Sequence, residues 1–311
     1  MRNKTFTWAL LLLIIAGIAF AFICFLGINF YTLGDTNKSI IFAILFAIVP
    51  CALALLAKVF KQASRNRRNN FIAECISLVL FVAAAIVAII PFSHFFNVNL
   101  HKEQVKTTID VTLSDAENMY PMYEKYTNNR IVLYAKELNL AVSQKNSGID
   151  TTKYNFYGFV KGTSDQLQIN KKINDLKDKI LPSDYQQNKE EHCKWISNAR
   201  KVLSKWNPIS VVTTLNTVEP NITSWCNELI QLSTYRANNG NEQADDFKYS
   251  VSFNNVKDIF TIIRTPNVLG ILIALCLYFI MLLPYLSTNR SAGWPGVMNL
   301  FSGSRDTGNV L

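Results

Sequence analysis

The densest run of reactive side chains is Glu190-Glu191-His192-Cys193, four residues of metal-ligating type in succession. Neighbours on a helix point about 100° apart, so the four cannot converge on one ion. A zinc site at Glu190 and Cys193 would need further ligands from elsewhere in the chain. The expected reading is a surface carboxylate pair beside a structural cysteine, with no metal and no other cofactor. Phosphate-loop, dinucleotide, zinc-protease and serine-hydrolase motifs are absent from the sequence. Between positions 92 and 266 the only glycines are Gly148, Gly158, Gly162 and Gly240, little material for a phosphate cradle. No catalytic residue is identified, and an enzyme is not expected.

Two other features carry chemistry. Cys193 and Cys226 are the only cysteines between positions 92 and 266 and form a candidate disulfide. In the chain-entropy picture, closing that loop would add roughly 3–4 kcal/mol. Cys24, Cys51, Cys75 and Cys276 lie in apolar stretches, where a thiol acts as a small apolar side chain. Glu74 is the one ionisable residue inside such a stretch. Acids at bilayer depth are costly and can mark ion paths. Its place in the first turn, near Arg67 and Arg68, predicts a snorkelling or salt-bridged interfacial carboxylate instead.

These residues must be positioned by four apolar stretches at 8–28, 40–57, 71–90 and 268–286. At ~1.5 Å of rise per residue each crosses, or nearly crosses, the ~30 Å hydrocarbon core of a bilayer. The formal charge of +9 is distributed to match. Residues 92–266 hold 21 Lys/Arg against 19 Asp/Glu, a net of only +2. Lys58, Lys61, Arg65, Arg67 and Arg68 fill the link between the second and third stretches with no acid among them. This is a positive-inside pattern, and it argues against nucleic acid as a partner. It predicts both termini in the cytoplasm and residues 92–266 outside, as in a bacterial inner-membrane, multi-pass protein. The first stretch is too long for a signal-peptide core and reads as an uncleaved anchor.

Helical periodicity dominates residues 92–266. Ile109, Leu113, Ala116, Tyr120 and Tyr123 recur at steps of 3 and 4, and Ile131, Tyr134, Leu138 and Ala141 resume the rhythm. Pro121 predicts a kink or a break within that run. Further helices are predicted at 165–181, 184–206, 208–217 and 221–236. Phe247, Tyr249, Val251 and Phe253 alternate with polar residues as in a half-buried strand, with 154–160 as its candidate partner. Residues 237–246 read as a mobile loop.

The expected fold class is therefore an all-α membrane protein with four transmembrane helices, three N-terminal and one C-terminal. Its mainly helical extracytoplasmic domain would carry a small β element. The expected domains are a three-helix membrane region at 1–91, the helical domain at 92–266, a fourth span at 267–287 and a cytoplasmic tail at 288–311. The partners expected are the lipid bilayer and other membrane or envelope proteins, or self-association. The expected function is that of a non-enzymatic component of a membrane or envelope complex. The alternatives are an extracytoplasmic ligand sensor acting through a separate partner and, after it, a transporter or channel subunit.

Overall fold

The structure is a computed structural model that describes residues 8–63, 67–240 and 242–289. It is 82% helix, and no strand forms among the described residues. The chain divides into two compact units, one from Met1–Lys102 with Asp258–Leu311, the other Glu103–Lys257.

The first unit is built on four helices: α1 (Trp8–Tyr31), α2 (Thr36–Gln62), α3 (Arg67–Leu100) and α10 (Val268–Leu286). All four are long and apolar enough to cross a membrane. Small residues let them approach. Ala43, Ala47, Ala54 and Ala57 form the buried stripe of α2, and Ser77, Ala85 and Ala88 are buried on α3. At Gly27 the α1 backbone meets α3 directly, since an added Cβ would lie 1.9 Å from the Pro91 carbonyl oxygen. Phe20 fills the centre, stacked on Phe92 at 4.8 Å and tilted against Tyr278 at 4.9 Å. The proline just after the third stretch does not end the helix, because α3 continues through Pro91 to Leu100.

The helix ends are sorted. At one end Lys61, late in α2, donates to the Tyr285 carbonyl of α10 at 2.9 Å and lies 4.3 Å over its ring. At the other, the α3 side chains Ser93 and Asn97 bind the entry to α10: Ser93 Oγ accepts from Asn267 N at 2.6 Å, and Asn97 donates to the Thr265 carbonyl at 3.1 Å. Asp35 caps α2 by accepting from Lys38 N at 3.1 Å.

The second unit is organised along α4 (Lys102–Asn146), followed by α5 (Thr152–Phe156), α6 (Asp165–Ile180), α7 (Tyr185–Ser204) and α8 (Pro208–Ser233). α9 (Asn254–Thr261) follows in sequence. Proline interrupts neither long helix: α4 runs through Pro121 and α8 through Pro220, merging the two helices expected at 208–217 and 221–236. Losing one hydrogen bond is outweighed by side chains buried on both sides of each proline. Ala116, Met119, Tyr120 and Tyr123 do this in α4, and Val218, Ile222 and Cys226 in α8. Asn207 caps α8 with Pro208 in its first turn, accepting from Ile209 N and Ser210 N.

The expected β element does not form. Residues 247–253 form neither helix nor strand, yet their alternation is genuine: Phe247 and Phe253 are buried while Lys248, Ser250 and Ser252 face solvent. Helix side chains take the place of a partner strand. Phe247 N donates to Ser233 Oγ at 2.9 Å, and Cys226 Sγ donates to the Tyr249 carbonyl at 3.1 Å. Tyr249 OH reaches back to the Asp115 carbonyl at 2.6 Å. A period of two therefore marked a strap laid over α4 and α8, with no ladder. The proposed partner segment contains the one-turn α5, with Tyr154 and Phe159 stacked at 4.8 Å.

Candidate functional site

Four clusters of polar or exposed apolar groups are candidates, and the first is a buried ion pair. Arg130 projects from α4 into the segment after α8, where its Nε and Nη2 grip the two Glu242 oxygens at 2.8 and 2.7 Å. Nη1 donates to the Ser233 carbonyl at 2.8 Å and to Tyr126 OH at 3.2 Å, and Nη2 also donates to the Tyr235 carbonyl. Glu242 further accepts from Ala237 N at 2.7 Å. The two side chains are only 4% and 3% exposed. Burial works against the guanidinium charge, but the bonds to Glu242 outweigh it and hold the Arg130 pKa above its ordinary value. A bidentate pair with every guanidinium donor engaged is a latch, with no donor left for a ligand. It anchors part of the loop expected to be mobile. A cleft of about 290 Å³ lies beside it, lined by Asn129, Leu133, Glu137 and Gln243 among others.

The second cluster surrounds His192. The run Glu190-Glu191-His192-Cys193 fans around α7. Glu190 lies 3.8 Å from Lys194 on the surface, and Glu191 accepts from Gln187 at 3.0 Å. His192 turns inward and stacks on Trp225 of α8 at 4.0 Å. Burial drives the Tyr120 phenol pKa strongly upward, and its hydroxyl shares a hydrogen bond with His192 Nδ1. Burial lowers the His192 pKa, with Glu191 opposing. Among the described residues no three such side chains are grouped to hold a metal ion.

Cys193 and Cys226 reach the same packed cluster, with Tyr120, Tyr185 and Phe247. The expected bridge is not made, and both are free thiols. Cys226 Sγ is directed to the Tyr249 carbonyl of the strap, and burial raises the pKa of both cysteines, which keeps them protonated.

Glu74 forms the third. It is 1% exposed within the helix bundle, and Tyr285 OH donates to its Oε1 at 2.7 Å. The partner comes from α10, remote in sequence. Of the basic link, Lys58 and Lys61 end α2 and Arg68 is exposed, whereas Arg65 and the Arg67 side chain lie outside the described residues. The tail at 290–311 lies outside them too.

The fourth cluster is apolar and exposed. The C-terminal end of α4 is tied to the start of α6 by Lys145–Asp165 at 3.1 Å and by Tyr154 OH to Asp165 at 2.6 Å. Gln168 pins the loop by binding Val160 N at 2.8 Å and its carbonyl at 3.0 Å. Gly148, Gly158 and Gly162 make the turns with positive φ. On or beside these turns Ile149, Phe156, Val160 and Leu167 are exposed by 76, 49, 62 and 66%. Ile149 was not singled out in the sequence; Phe156 and Val160 fell in the segment read as a partner strand, and Leu167 in the helix predicted at 165–181, off its buried face. No family model, curated protein or solved structure matches this chain.

Proposed function

We propose that the protein is a non-enzymatic, multi-pass membrane component that holds residues 103–257 outside the cytoplasm as a docking module for another protein. The observation that carries this reading is the exposed apolar set Ile149, Phe156, Val160 and Leu167. Singly exposed apolar residues are ordinary, but four of them within one glycine-turned stretch, 149–167, are the arrangement from which an interaction site is built. Sidedness is supported by the basic link, and by Lys61 and Tyr285 sharing one end of the membrane unit, which puts the entry to the tail beside that link. The membrane is the cell membrane on this reading, with both termini cytoplasmic.

A sensor reading is favoured by one observation, the cleft of about 290 Å³ beside the latch. It ranks second because Arg130 and Glu242, the charged pair lining that cleft, are already bound to each other. The two readings separate on one experiment with the full-length protein solubilised from its own membranes. Serine replacements I149S, F156S, V160S and L167S together should release it from a larger assembly while its melting temperature is unchanged. An assembly that survives all four replacements overturns the docking reading.

A further inference from the structure

In the membrane unit, a cleft of about 200 Å³ is lined by Gly27, Tyr31, Phe42, Ile90 and His94, with Ile263 at its rim. Its walls are mostly apolar; the polar residues lining it are Tyr31, Thr32, whose hydroxyl is taken up by the Ile28 carbonyl and Ser39, and His94. His94 is 3% exposed, and its Nε2 lies 2.7 Å from the Phe260 carbonyl. A carbonyl only accepts, so Nε2 carries the proton, and in the neutral ring Nδ1 is left as a lone pair. That Nδ1 is buried and has no partner. A buried acceptor without a donor is costly, and costlier where no water reaches. Phe42, Ile90 and Ile263 are exposed on the outside of the bundle, so the cleft opens to where lipid lies. Tyr31, also exposed, packs edge-on against the imidazole with centroids 6.3 Å apart.

We infer that this cleft binds a hydroxyl-bearing lipid, its apolar body against Phe42, Ile90 and Ile263 and its hydroxyl donating to His94 Nδ1. The chemistry is specific: an acceptor selects a donor, so an alcohol or hydroquinone fits, whereas the corresponding ether does not.

The test uses full-length protein in detergent and a long-chain alcohol carrying a photoreactive diazirine. The adduct should map to the residues around Gly27–Phe42 or Ile90–His94. It should be competed by hexadecanol or an alkyl hydroquinone about tenfold better than by hexadecyl methyl ether, the worth of one buried hydrogen bond. Whichever of the two donors competes better assigns the source within the class. His94→Phe should erase the preference for alcohol over ether. Should that variant not fold, Ile90→Trp, which fills the cleft from its exposed rim and leaves the His94–Phe260 bond in place, should abolish labelling at an unchanged melting temperature. Equal competition by alcohol and ether on the wild-type protein overturns the inference, as does full labelling of the Ile90→Trp protein.

Discussion

The Arg130–Glu242 latch gives the most quantitative prediction. Arg130→Met removes the charge but keeps much of the side-chain volume. It leaves the Glu242 carboxylate buried at 3% exposure and strips donors from the Ser233 and Tyr235 carbonyls. Breaking a buried pair from one side costs about 3–5 kcal/mol. For a unit of this size, each kcal/mol moves the melting temperature by roughly 2–4 °C, so a fall on the order of 10 °C is expected. The double variant Arg130→Met/Glu242→Leu removes both charges. Its cost should fall well below the sum of the two single costs, with a coupling of about 2 kcal/mol or more. It should stay destabilised, because the two carbonyls remain without the guanidinium. Three of the five tryptophans, Trp195, Trp206 and Trp225, lie in the Glu103–Lys257 unit, and Trp195 packs edge-on against Trp225 at 5.3 Å. Thermal melting followed by intrinsic fluorescence of the full chain in detergent therefore reports mainly on that unit. A loss under about 1 kcal/mol for Arg130→Met, or strict additivity in the double variant, would refute the latch.

Other consequences can be checked the same way. His192 has a folded pKa below its unfolded value, so the unfolded chain binds more protons between the two, and stability must rise with pH there. Its contribution is complete above the unfolded value of about 6.5 and is lost on acidification below it. Melting temperature should fall from pH 7.5 to 5.5, and His192→Gln should flatten that slope; an unchanged slope rejects this assignment. In the membrane unit, Gly27→Ala places a Cβ 1.9 Å from a backbone oxygen, whereas at Gly17 the nearest atom is Cys51 Sγ at 3.0 Å, the movable end of a side chain. Overpacking of the first kind costs roughly 1–3 kcal/mol, so Gly27→Ala should melt clearly below Gly17→Ala, and equal melting would contradict the contact. Cys193 and Cys226 should both alkylate after unfolding without reductant; a mass loss of two hydrogens would show a bridge instead.

The parts that could be read from the sequence were those with a period. Runs of apolar residues gave the four long helices, and steps of 3 and 4 placed the buried face of α4, including Ile109, Leu113, Tyr123 and Leu138. The prolines were weighed too heavily. Of the kink or break expected at Pro121, a break does not occur, and the gap left between the helices expected at 208–217 and 221–236 closes through Pro220. Alternation at Phe247–Phe253 reported the buried and exposed side chains correctly, but no strand forms there. The candidate sites were harder still. Glu242 sits in a polar, loop-like run, and its partner Arg130 is 112 positions away, so nothing local announces the latch. Tyr285 as the partner of Glu74, 211 positions distant, is hidden for the same reason. His94 looked like any helix histidine until its neighbours were placed around it.

The central claim, that the 103–257 unit docks to another protein through its apolar stretch at 149–167, is tested most directly by the mass of the assembly in solution. Full-length protein gently solubilised from its native membrane should run by mass photometry as a defined particle well above the 35.2 kDa chain in its detergent micelle. The I149S/F156S/V160S/L167S protein should run as the single chain. A wild-type protein that is itself a lone chain in its micelle, with the same mass as the quadruple variant, would contradict the account.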